Sequence, residues 1–128
     1  MTFVRTLLLL PAVLAAVPAA AQEPPPFTLE HRMLLRCSAV FAIVAGEQQR
    51  GVASALAYPA LGERGREYFV RASARLMDDL KLTREQVEAS LRAEVEGLQK
   101  ATTDGGDPAA TIDAVMQPCL SALGASGL

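Results

Sequence analysis

Four arginines crowd one stretch of the chain, LGERGREYFVRASARL: Arg64, Arg66, Arg71 and Arg75, interleaved with Glu63 and Glu67. A guanidinium presents a planar fork of donors that matches a carboxylate or a phosphate, so the cluster is a candidate site for an anion or a partner protein. The same spacing supports a structural reading. Glu67 stands four residues before Arg71 and Arg71 four before Arg75, the separation at which side chains meet on a helix. Glu–Arg pairs of that kind lace an exposed face for roughly 0.2–0.5 kcal/mol each.

The remaining reactive residue types are sparse. Cys37 and Cys119 are the two cysteines, 82 residues apart, which is not the close C-x-x-C spacing of redox catalysis. In an exported chain they read as one disulfide. His31 is the one histidine, and a metal site needs several converging ligands, so no metal or other cofactor is expected. None of Ser38, Ser54, Ser73 and Ser90 sits in a nucleophile elbow, so no catalytic residue is assigned. Asp104, Asp107 and Asp113 lie near two glycines, but they lack the alternating ligand positions and the closing Glu of an EF-hand loop. Asp78 and Asp79 are adjacent, and adjacent helical side chains point about 100° apart, which suits a solvated helix end better than a carboxylate pair.

These residues must be positioned by helices. His31–Gln48 is the most apolar run outside the leader. Leu29, Met33, Cys37, Phe41 and Val44 recur at steps of four and three, and Leu34, Val40 and Ile43 widen that stripe nearly all round. Such a helix belongs at the centre of a bundle. Thr28 can cap it. His31, Arg32 and Arg36 in its first turns leave too short an uncharged span for a membrane helix. A short small-residue segment, Val52–Tyr58, stops before Pro59. Leu61–Leu80 forms a second long helix, where Gly62 and Gly65 either delay its start or admit a close neighbour. Thr83 and Gln86 make a capping box for a third helix, whose stripe is Val87, Leu91, Val95 and Leu98. TTDGGD, residues 102–107, reads as a loop. Asp107–Pro108 then starts a last helix with Ile112, Val115 or Met116, Cys119 and Leu123 inward, kinked or ended by Pro118.

The N-terminus carries the three parts of a secretory signal peptide over residues 1–21: a basic start at Arg5, an apolar core and the small residues Ala19–Ala21. Residues 22–27, QEPPPF, form a proline-rich extended arm, and residues 28–128 the helical domain. Without Arg5, the mature chain keeps 11 of the 12 basic residues against 14 acidic ones, a net charge of −3. That offers no clustered basic face for nucleic acid. Aromatics are 5% of the chain and Trp is absent, which favours helices over a sheet.

The segments LLRCSAVF at 34–41, LGERGREYFVR at 61–71, LTREQV at 82–87 and PCL at 118–120 together resemble small exported, two-cysteine helical proteins of alphaproteobacteria. The resemblance covers most of the mature chain. It implies a helical fold and a Gram-negative periplasmic or secreted location, and it transfers no functional residue. A looser likeness, in architecture alone, is to the disulfide-stapled acid chaperones of the periplasm. The expected architecture is all-α, a small bundle of about four main helices closed by Cys37–Cys119. The expected function is a non-enzymatic periplasmic binding or interaction protein, of an envelope-stress or chaperone kind, with an unidentified protein partner. The alternative is a carrier holding a small apolar ligand between helices, with no stable membrane insertion after signal cleavage.

Overall fold

The local sequence rules yield five helices in the computed structural model, which describes residues 26–128: α1 Leu29–Gln49, α2 Ala53–Leu56, α3 Gly62–Leu80, α4 Arg84–Asp104 and α5 Pro108–Ala125. Four are long, α2 is a single turn, and no strand occurs among the described residues. Residues 1–21, read above as a signal peptide, and the expected arm up to Pro25 lie outside the described residues. Pro26 and Phe27 are non-helical.

The helix starts follow from capping chemistry. Thr28 accepts from the backbone N–H of His31 while the His31 ring accepts from the Thr28 N–H. Thr83 and Gln86 make the same reciprocal box on α4. Asp107 accepts from the N–H groups of Ala109 and Ala110, with Pro108 at the first position of α5. Each satisfies donors that a helix start leaves orphaned.

α1 is the hub, and it packs against all four other helices. Its Cys37, Ala39, Val40, Phe41 and Val44 are wholly sealed from water. Cys37 is bonded to Cys119 on α5, with Cα atoms 5.2 Å apart. Against α3, the Phe41 and Tyr68 rings meet edge to face at 5.2 Å. The two sequence alternatives for the glycines of α3 separate here. A Cβ on Gly65 would stand 3.2 Å from the Phe41 Cβ, so this glycine admits the α1 backbone, whereas one on Gly62 would meet nothing within 4 Å.

The interior divides into a main cluster around Phe41, Leu61, Leu98, Met116 and the disulfide, and a smaller one of Leu35, Leu76, Leu80 and Val87. Leu91, expected mid-core, is half-buried and lies against both clusters. Leu98 and Val87 are the sealed residues of α4. Leu29, read as the first residue of the α1 stripe, is 72% exposed, because the helix begins before its neighbours cover it.

Two connections differ from the sequence reading. α4 runs on to Asp104, leaving only Gly105–Asp107 as a loop. Thr102 and Thr103 bond back to the Gln99 carbonyl and Lys100 pairs with Asp104, which keeps the polar turn helical. α5 continues unbroken through Pro118. That proline faces solvent, so its ring and its missing donor disturb only the outer side of the ladder, while Cys119 beside it is tied to α1. Among the described residues, no helix is long and apolar enough to cross a membrane.

Candidate functional site

Three of the four clustered arginines are engaged within the chain. Arg64 donates to the backbone oxygen of Leu128. Arg71 pairs with Glu67 and also donates to the Ser126 carbonyl at 3.3 Å. Together they tie the C-terminal residues to α3. Arg75 pairs with Asp79 at 2.7 Å and with Glu30 at 3.1 Å, bridging α3 to the start of α1. Arg66 is exposed, with no ion pair or hydrogen bond among the described residues. The four therefore do not converge on a common point. Cys37 and Cys119, by contrast, are brought together as the spacing of their stripes required.

His31 is buried at the junction of α1 and α3. Its Nδ1 accepts from the Thr28 N–H, which leaves the proton on Nε2 to donate to Asp79 Oδ2 at 3.1 Å. Both ring nitrogens are spent, so neither can act as a general base on a bound substrate. Asp79 is held below the usual carboxylate range, first by the hydrogen bond from Arg75 and then by that from His31. Its place at the C-terminus of α3 is electrostatically poor, and Arg75 and His31 supply the compensation.

A groove of about 380 Å³ opens between the C-terminal half of α1, α2, the end of α4 and the start of α5. Ile43, Ala55, Val95 and Ile112 supply its apolar lining, and Glu47, Arg50, Ser54, Tyr58, Gln99 and Thr102 its polar groups. It is open-sided rather than enclosed. Its α2 wall is built by one side chain, Gln48. The two hydrogens of the Gln48 amide are shared among the carbonyls of Ala55 at 3.1 Å, Tyr58 at 3.3 Å and Pro59 at 2.9 Å, and its oxygen accepts from the Leu61 N–H. The Tyr58 hydroxyl donates to Asp113 on α5 at 3.0 Å. Burial pushes the Tyr58 hydroxyl pKa up, the bond to Asp113 adds to this, and the charges of Asp113 and Glu47 add further.

Two charged groups of the lining are uncommitted. Glu47 and Arg50 make no ion pair, with each other or with any described residue. The Arg50 side chain nonetheless folds back along α1, placing Nη1 3.5 Å from where a Gly46 Cβ would stand. Its guanidinium thus lies on the groove wall.

The spacing of apolar residues indicated neither the groove nor Gln48. Gln48 read only as the end of an apolar run. The one available pointer was the seven-residue stretch between Ala55 and Leu61, whose Pro59 breaks any helix and leaves carbonyls needing a donor. A second, smaller recess of about 250 Å³ lies between α3 and α4, with Phe69, Val70, Ser73, Met77 and Val87 in its lining. Val70 there is 59% exposed, and the Ser73 hydroxyl is buried without a partner among the described residues.

Among the described residues, the class these observations define is a disulfide-stapled all-α bundle with a groove of mixed polar and apolar lining. Comparison of the chain with protein-family models, curated proteins and solved structures found no match.

Proposed function

We propose that the chain is a non-enzymatic binding protein of a periplasmic or secreted compartment, and that the α1–α2–α4–α5 groove is its binding site. The observation that carries this is the pair of uncommitted charges, Glu47 and Arg50, in one lining with Ile43, Val95 and Ile112. Most small-molecule sites have this build, with apolar walls for affinity and a few polar groups for orientation. The disulfide supports an oxidising compartment. The engagement of both His31 nitrogens supports binding over catalysis.

The test is native mass spectrometry of the mature chain recovered from the envelope of a Gram-negative host. The expected result is a small-molecule adduct on the wild type that Ala109→Phe, which narrows the groove from an exposed position, displaces. A bare chain in both preparations overturns the reading. A protein-interaction role is the second reading. It is favoured by exposed Val70 over the apolar α3–α4 recess, and its result in the same preparation is a co-purifying protein that Val70→Asp releases.

A further inference from the structure

We propose that the groove ligand is a zwitterion with an apolar side chain, of the class of a free apolar α-amino acid. This rests on the groove reading above and adds the chemistry of the ligand to it. Glu47 and Arg50 are three residues apart at the end of α1, a spacing at which side chains of opposite sign commonly pair. They do not pair here.

The free end of Arg50 instead lies against Gly46, which also lines the groove. Arg50 is exposed and has no partner among the described residues, so its donor fork is free to take a carboxylate. The Glu47 carboxylate, also in the lining and half-buried, is an acceptor for an ammonium. Asp113 stands outside the lining, and its Oδ1 accepts from Tyr58 and from Gln117.

Ile43, Val95 and Ile112 add apolar side chains to the same lining. A ligand that neutralises both charges must carry both signs close together, and the α-ammonium and α-carboxylate of an amino acid do so. The groove volume, about 380 Å³, lies at the small end of ligand sites. That suits a side chain of leucine or phenylalanine size.

The experiment is calorimetric titration of the oxidised mature chain with L-leucine and L-phenylalanine. Two single-charge analogues of leucine are run beside them, 4-methylpentanoate without the ammonium and 3-methylbutylamine without the carboxylate. The amino acids should bind, and each analogue should bind about tenfold or more weakly, the scale of one lost charge-assisted hydrogen bond. Arg50→Gln should weaken leucine by a similar factor and leave 3-methylbutylamine unchanged. Glu47→Gln should do the converse, leaving 4-methylpentanoate unchanged. Circular dichroism checks that both variants keep their helix content.

An analogue that binds as tightly as leucine, or substitutions without effect on leucine, overturns the zwitterion. So does an absence of heat with both amino acids. In that case an adduct displaced by Ala109→Phe still upholds the groove as a site for another ligand, whereas its absence removes both readings.

Discussion

His31 serves two helices with one ring. Nδ1 completes the Thr28 cap, and Nε2 reaches 48 residues along the chain to Asp79 on α3. The two roles can be separated by substitution. His31→Gln places at the third helical position a residue that the capping box accepts, while abandoning Asp79. His31→Ala abandons both. In urea melts, His31→Gln should retain about 0.5–1 kcal/mol more stability than His31→Ala, the worth of a cap. Equal losses would show that the ring's contribution lies wholly in the α3 contact. Asp79 carries the pH dependence of the same junction. Its folded-state pKa is depressed below the ordinary 3.8, chiefly by Arg75 and secondarily by His31. A depressed carboxylate adds stability above its unfolded pKa, and that stability is lost as pH falls through the folded value. Wild type should therefore exceed Asp79→Asn in stability near pH 6, and the gap should narrow steadily below about pH 4. The pair is exposed, so salt should shrink the gap as well. A gap that is constant from pH 6 to pH 2 would refute the assignment.

At the scale of the helices, the glycines make a matched contrast. Gly65 lies where α3 touches α1, and an added methyl would stand 3.2 Å from the Cβ of Phe41, an atom anchored to the backbone of the hub helix and wholly buried. Gly97 lies within α4, exposed, with nothing within 4 Å of its Cβ position. Gly97→Ala should raise stability by about 0.5–1 kcal/mol through backbone entropy and helix propensity. Gly65→Ala makes the same entropic gain but forces the two helices apart. Overpacking of that kind costs about 1–3 kcal/mol. The two variants should therefore move the denaturation midpoint in opposite directions. A shift of Gly65→Ala to higher stability would mean that α1 and α3 can slide without cost.

For the whole molecule, the disulfide is the largest single constraint. It joins the hub helix to the last helix across 82 residues, so it restricts nearly the entire unfolded chain. The chain-entropy account gives a loop of this size about 4.5 kcal/mol, comparable to the net stability of a small domain. Replacing both cysteines by serine should lower the melting temperature by more than about 10 °C, at roughly 4 °C or more per kcal/mol for a domain of this length. Calorimetry of the double variant measures this. A fall of only a few degrees would show that the two apolar clusters hold the bundle without the staple. The C-terminal residues are a second closure, since Arg64 and Arg71 of α3 bind the backbone oxygens of Leu128 and Ser126.

What the sequence by itself determined is what short-range periodicity encodes. The 3.6-residue stripes of α1, α3, α4 and α5, the Thr28, Thr83 and Asp107 caps, and the stop before Pro59 all depend on residues within a few positions of one another. The Cys37–Cys119 pairing was equally legible, because two cysteines allow one intrachain bond and both fall on inward stripes. Local rules erred where a distant or compensating contact outweighed them: at Pro118, beside a covalent tie, and in TTDGGD, where side chains bond back to their own helix. Only the tertiary structure decided which polar groups are spent and which are left over. The arginine cluster was the conspicuous candidate in sequence, yet Arg64, Arg71 and Arg75 find partners far along the chain. Glu47 and Arg50, inconspicuous in sequence, are left facing a groove whose walls come from residues 42 to 112. The physical reason is that a side chain's remaining hydrogen-bonding capacity depends on what folding brings beside it. That follows from how helices cross, and the spacing of residues along one helix does not contain it.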